Sequence, residues 1–232
     1  MRRLSFLLIV SMSLGSLQAQ NTLEWGLNAL AGFPQGDFKS ETDDSSFGFE
    51  ASLGIGSKYL PVTFGVSAGY YNLGEATYVA PTDTGDQTNK ADHQITQIDS
   101  SVESAQFQLF FKIHKDYKYM EPYFEVMAGY QHVSVETLVE STNFAQERLR
   151  EKLDGGSASA GLGGGVAYYL HRQPETRKGS IQLVLGARYT VGLEYDFLKP
   201  ETLVHIDDDW QYSIEQKNIA LFHVRAGLHF IF

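Results

Sequence analysis

The 232-residue chain has no cysteine, which removes disulfide staples, thiolate metal sites and a lipid-anchoring cysteine together. Basic charge is also scarce: 18 Lys and Arg stand against 28 Asp and Glu, a formal net charge of −10. That balance argues against a nucleic-acid partner. Beyond the amino terminus no apolar run approaches the roughly 20 residues of a membrane-spanning helix. Chemical motifs are missing as well. The seven histidines lack metal-ligand spacing, the glycines at 161–165 are not followed by the helix of a phosphate-binding loop, and no nucleophile elbow is present. Neither a cofactor nor a metal is expected.

The amino terminus is the first positive signal. Arg2 and Arg3 precede an apolar stretch over 4–10, and small residues lead to Ala19, the pattern of a secretory signal peptide. Ser11, Ser13, Gly15 and Ser16 break the stretch too early for a bilayer anchor. Residues 1–19 are therefore predicted to be a signal peptide, and 20–232 a single domain. Its length suits one all-β barrel or sandwich.

Within that domain apolar residues alternate with polar or small ones in eight stretches: 23–33, 47–56, 62–71, 105–113, 122–132, 158–170, 181–195 and 220–232. Period two means strands with two unlike faces. Between Phe47 and Gly56, every odd position is apolar and every even one is Gly, Ser or Glu. Each stretch is long enough for a tilted strand to cross a bilayer, which takes about 9 to 11 residues. Links alternate in length: short at 57–61, 114–121 and 171–179, long at 34–46, 72–101, 134–156 and 196–217. Short turns on one side and long loops on the other are the plan of an outer-membrane barrel. The expected fold is all-β: an eight-stranded antiparallel transmembrane β-barrel with short periplasmic turns and long extracellular loops.

A soluble lipocalin-like barrel shares the strand count, so the direction of the apolar face has to be argued. The minor faces are small and polar: Ser159, Gly161, Gly163, Gly165 and Ala167 on one strand, Thr63, Gly65, Ser67 and Gly69 on another. They make a poor lining for an apolar ligand cup. Six charges lie well inside strands, Glu24, Glu50, Lys112, Glu125, Arg188 and Arg225, and all fall on the polar parity. With the apolar parity toward lipid, no charge meets hydrocarbon, and three acids balance three bases in the lumen. Glu50, Arg188 and Arg225 are predicted to form one network, and Lys112 with Glu125 a second. Tyrosines cluster at both strand ends, Tyr59, Tyr117, Tyr119 and Tyr123 at one and Tyr70, Tyr71, Tyr130 and Tyr195 at the other, as interfacial girdles do. All four long links carry more acids than bases. Their densest cluster, Asp207, Asp208 and Asp209, lacks EF-hand spacing and reads as a solvated loop, with cation-bridged contact to lipopolysaccharide as the sharper alternative. A short helix is predicted over 143–154, ended by Gly155.

With eight alternating strands, long and short links and a terminal phenylalanine, the chain resembles the OmpA/OmpX-type eight-stranded outer-membrane β-barrel family over residues 23–232. Gly227, Phe230 and Phe232 match the glycine, hydrophobic and terminal aromatic positions of the signal by which the barrel assembly machinery recognises its clients, with Ala226 at a usually polar position. The resemblance implies residence in the outer membrane among its lipids and lipopolysaccharide. It implies no activity. The leading expectation is a non-enzymatic barrel presenting acidic loops to an extracellular partner that the sequence does not name. A narrow channel for small or hydrophobic solutes is one alternative. The other is an enzyme, since His132-Val133-Ser134 looks like the His-x-Ser element of lipid A deacylases, although Val135 stands where that family has asparagine.

Overall fold

The computed structural model describes residues 21–36, 39, 46–57, 60–82, 94–141, 148–173, 178–198, 204–206, 209–211 and 213–232. The strands are β1 (Asn21–Gln35), β2 (Ser46–Ser57), β3 (Val62–Thr82), β4 (Gln94–His114), β5 (Met120–Ser141), β6 (Arg148–His171), β7 (Ser180–Leu198), the short β8 (Val204–Ile206) and β9 (Asp209–Gln211), and β10 (Ile214–Ile231). Eight of them close in the order β1-β10-β7-β6-β5-β4-β3-β2, while β8 and β9 pair only with each other. Every barrel pairing is antiparallel. The first and last strands seal the seam: the Phe232 amide donates to the Leu23 carbonyl at 2.8 Å, and the Leu23 amide to the Phe232 carbonyl at 3.0 Å. Closure leaves no edge in the bilayer, where an unpaired backbone group is costly.

All eight predicted stretches lie in barrel strands except for Phe232, one residue past β10, but most strands run further than the stretches. Much of the links 72–101 and 134–156, expected as loops, is strand: β3 continues to Thr82 and β4 starts at Gln94, while β5 reaches Ser141 and β6 starts at Arg148. The helix predicted over 143–154 is overturned in its described part. Residues 148–154 belong to β6, paired with β5 from Glu140↔Arg148 to Ser134↔Asp154. A ladder already running between β5 and β6 satisfies each added backbone group, which outweighs a weak local helix preference.

These extensions give the barrel two storeys. In the lower one, which includes the start of β1 and the end of β10, Phe49 is 64% exposed and Phe64 61% exposed on the outside, while Glu50 and Glu125 are each 2% exposed within. In the upper one the sense is reversed. Leu30, Tyr71, Leu73, Val102, Val133, Val135, Tyr195, Ile219 and Leu221 form one buried apolar cluster inside, whereas Asn72, Glu75, Glu103, Lys152 and Asp154 face outward and are exposed. Two bulges lie in this part of the wall. One is on β3 between Asn72 and Gly74, where Gly74 takes φ 112°, which a side chain would strain. The other is on β7 opposite Asn218 and Ala220, and across it the inward position shifts from Gly192 to Tyr195.

Candidate functional site

The lower lumen is filled by one continuous polar network. Arg188 on β7 donates from Nε to Glu125 Oε1 at 2.6 Å and from Nη1 to Glu50 Oε2. Arg225 on β10 donates from Nη2 to Glu125 Oε2 at 3.0 Å, lies 3.6 Å from Glu50 and donates to the Tyr123 hydroxyl at 2.9 Å. Asn28 then links the two halves, its Nδ2 donating to Glu50 at 3.1 Å and its Oδ1 lying 3.2 Å from His229 Nε2. His229 Nδ1 is 2.8 Å from Glu24, which also pairs with Lys112.

The structure brings Glu50, Arg188 and Arg225 together but separates Lys112 from Glu125. The two are register neighbours on β4 and β5, yet Lys112 reaches Glu24 on β1, and Glu125 is taken by both guanidiniums. The reason is donor geometry. An arginine offers a planar fork of several N–H groups suited to a carboxylate, and two such forks converge on Glu125 from neighbouring strands. The ammonium of Lys112, a single point charge, is left to the other available carboxylate.

Glycines make room for this network. A Cβ at Gly163 would stand 2.6 Å from Arg188 Cγ and 3.1 Å from Glu125 Oε1, and one at Gly165 2.5 Å from the Tyr123 hydroxyl. The small face of β6 is therefore a recess for side chains of facing strands, which is how a barrel this narrow encloses two arginines.

Tyrosine positions need correction. Tyr70, Tyr117, Tyr119 and Tyr130 are exposed, as girdle residues should be, but Tyr71, Tyr123 and Tyr195 are interior, at 3%, 8% and 4% exposure. Tyr123 shares Glu125's parity and binds Arg225, Tyr71 stacks on His223 with ring centroids 4.9 Å apart, and the β7 bulge turns Tyr195 inward. Tyr59 lies outside the described residues, as do Asp207 and Asp208. Neither His229 nor Asn28 was among the interior residues singled out from the sequence. The available signal was parity: each shares the inward parity of its strand with a charged residue, Arg225 for His229 and Glu24 for Asn28.

On the outer wall of the upper storey, His132 and Ser134 do share a face, but both are directed at a third residue. Ser134 hydrogen-bonds Asp154, its register partner on β6, and His132 Nε2 lies 3.8 Å from the same carboxylate. The Ser134 hydroxyl, then Lys152 at 3.4 Å and His132, hold the Asp154 carboxyl below its usual range. A serine bonded to a carboxylate is not activated by the neighbouring imidazole, which nucleophilic catalysis requires.

At the seam, Gly227 pairs with Asn28 and Phe230 with Trp25. Phe230 and Trp25 stack at 5.4 Å on the outer face, and Phe232 is 59% exposed. Phe33 with Phe222, Phe49 with Tyr70 and Phe64 with Phe111 form similar cross-strand aromatic pairs on the outer wall.

A closed wall, aromatic and aliphatic outside and ionic inside, is the inverse of a soluble protein, and it defines an eight-stranded barrel that crosses the outer membrane and associates with its lipids. The fold is an eight-stranded antiparallel barrel closed on itself. No protein-family model matches the chain, and no curated protein does. Among solved structures, the chain is similar to Neisserial surface protein A, at 15% identity and TM-score 0.43, covering 90% of this chain and 96% of that one. It is also similar to a major outer membrane protein from Thermus thermophilus, at 13% identity and TM-score 0.48, covering 90% and 99%. The outer membrane protease OmpT from Escherichia coli matches at 9% identity and TM-score 0.48, covering 92% and 97%. At these identities and TM-scores none of the three bears on activity.

Proposed function

We propose that the chain is a non-enzymatic surface barrel whose role is to hold its extracellular hairpins and acidic loops away from the membrane for contact with a partner. The observation that carries this reading is the double closure of the interior, by the network of Arg188, Arg225, Glu50 and Glu125 below and by the apolar cluster around Leu73, Val133 and Leu221 above. A conduit for solutes needs neither, while a rigid stalk benefits from both. The buried network is the lock of the lower storey, and the hairpins that continue from β3–β4 and β5–β6 are the display element. Gly227, Phe230 and Phe232 serve as the signal to the barrel assembly machinery, and lipopolysaccharide surrounds the outer wall.

Planar-bilayer recording tests this directly. The purified protein is expected to be electrically silent, and steady single-channel openings would replace the display reading with the channel. Unchanged lipid A acylation in cells overexpressing the protein is the matching expectation for the deacylase-like alternative, and loss of an acyl chain would make it an enzyme.

A further inference from the structure

The two ends of the barrel differ in charge. The long links carry an excess of acids, whereas the short turns at the lower end carry Lys58, Lys115, Lys118, Arg172, Arg177 and Lys178 against Asp116, Glu121 and Glu175. The turn between β4 and β5 sorts these signs in space. After a last rung from the Lys115 amide to the Pro122 carbonyl at 3.0 Å, the Tyr117 amide closes it on the Met120 carbonyl at 2.9 Å. Arg172, just past β6, grips the turn: its Nη1 and Nη2 each reach the Asp116 carboxylate at 3.0 Å, and Nη1 also donates to the Tyr117 and Lys118 carbonyls, at 2.6 and 3.3 Å. The Tyr169 hydroxyl lies 3.0 Å from both Asp116 and Glu121. Glu121 is 1% exposed, between His114 and Gln182. Both acids of the turn are therefore already occupied.

Its two lysines are not. Among the described residues neither Lys115 nor Lys118 pairs with a carboxylate; each ammonium stands over an exposed tyrosine, Lys115 5.4 Å from the centroid of Tyr117 and Lys118 5.0 Å from that of Tyr119. A ring face takes one side of an ammonium and leaves it donors for an anion. On the outer wall next to the turn, Ile113, Met120, Phe124, Tyr168 and Leu170 are all exposed, with Tyr168 the register partner of Met120 on β6. Bases, then tyrosines, then apolar surface thus follow one another up the wall, in the order of the headgroup, interface and acyl region of a leaflet. His171 and Lys178, both exposed, bring no negative charge to this rim, and Glu175, its remaining acid, lies outside the described residues.

We propose that the β4–β5 turn is a binding site for an anionic glycerophospholipid of the leaflet around the lower rim, with its phosphate on Lys115 and Lys118 and its acyl chains along Met120 and Leu170. A zwitterionic head brings an ammonium of its own, which the two lysines repel, and a bare phosphate makes no use of the apolar wall. A phosphatidylglycerol matches both features. Such a site holds whether or not the loops at the other end of the barrel meet a partner.

Met120 and Met127 are the only methionines in residues 20–232, the first outward at the turn and the second 5% exposed in the lumen, so methyl-labelled methionine reads the site beside an internal control. The full barrel is placed in phosphatidylcholine nanodiscs with rising fractions of phosphatidylglycerol, or with inorganic phosphate added instead. Phosphatidylglycerol is expected to shift the Met120 methyl saturably while Met127 and the labelled Leu23 methyls, exposed at the opposite seam, stay in place; inorganic phosphate is expected to move none of them. Each lysine should supply about a fivefold preference over phosphatidylcholine, hence roughly 25-fold together. Lys118→Gln is expected to lower the preference about fivefold, Lys118→Arg to retain it, and Lys115→Gln combined with Lys118→Gln to abolish it in a barrel that keeps heat-modifiable migration. The single Lys118→Gln chain decides the matter should the double variant not fold. Any of four results would overturn the proposal: no saturable Met120 shift, an equal shift at Leu23, the same shift from inorganic phosphate, or an undiminished preference in Lys118→Gln.

Discussion

Below the level of Tyr130 and Ala158, β5 and β6 turn Phe124, Val126 and Leu162 outward and Glu125 inward; above it the same strands turn Val133, Val135 and Leu153 inward and Ser134, Lys152 and Asp154 outward. Neither the β4–β5 nor the β5–β6 register shifts between these levels. The backbone is continuous, and only the solvent changes. Lipid rewards an apolar exterior and leaves the interior to hydrogen bonds and ion pairs. Water rewards the opposite arrangement, and the upper storey gains the ordinary hydrophobic effect, about 25 cal/mol per Å² of apolar area withdrawn. One strand thus carries two folding logics in sequence, and substitutions should have different consequences on either side of the boundary.

The largest effect is expected in the lower interior. Replacing Glu125 with Leu strips Arg188 and Arg225 of their shared carboxylate and should cost about 3–5 kcal/mol, the scale for a buried charge left without its partner. Urea unfolding from lipid vesicles measures it. Arg225→Met should cost less when Glu50 is changed to Gln in the same chain, and strictly additive losses would mean that the two residues do not interact. The outward Lys152–Asp154 pair of the upper storey should show no measurable effect on Lys152→Met, since both partners keep water.

Next comes the exterior of each storey. Val126→Lys places an ammonium against hydrocarbon and should cost about 2–4 kcal/mol if Val126 sits near the midplane. The charge reversal Glu103→Lys on the upper wall should be close to neutral in the same assay. Equal costs would erase the boundary between the storeys.

The parity of each strand was legible in the sequence because alternation over nine or more residues is a strong local pattern: all six interior charges point where Glu24, Glu50 and the rest were expected to point. Two features were not. Partner choice in the lumen depends on which strands face one another across a closed barrel, and register neighbours such as Lys112 and Glu125 are not obliged to pair when Arg188 and Arg225 compete for the same acid. The upper storey was taken for loops because the familiar apolar parity stops there. In fact it flips: Phe64, Val66, Ala68 and Tyr70 are followed by Tyr71 and Leu73, and Phe124, Val126, Ala128 and Tyr130 by Val133 and Val135. Such a flip marks where a barrel leaves the bilayer and remains folded.

A smaller effect separates the two kinds of apolar contact. Ile219→Val, inside the upper cluster, should cost about 0.5–1.5 kcal/mol because its neighbours close only partly on the missing methylene. Val224→Ala, on the lipid face of the same β10, should cost less, since mobile acyl chains fill the gap that protein side chains leave open. A larger loss at Val224 would mean that the exposed face packs against protein.

The smallest expected change is electrostatic and lies at the boundary itself. Asp154 is held below the ordinary carboxylate range chiefly by the Ser134 hydroxyl, with Lys152 and His132 adding to it. A lowered folded-state value favours the folded barrel above the ordinary carboxylate range, and that contribution fades as pH falls through the lowered value. Ser134→Ala should therefore move the Asp154 titration upward, read from its side-chain carboxyl resonance, while global stability at neutral pH barely changes because the group is in water. The comparable change in the lower storey, Tyr123→Phe, removes a hydroxyl that accepts from Arg225 in the buried interior and should register in unfolding, since a buried donor left unsatisfied costs about 1–3 kcal/mol. If Ser134→Ala proves the more destabilising of the two, the outer wall at Ser134 is not solvated, and the boundary between lipid and water lies higher on β5 than its apolar parity places it.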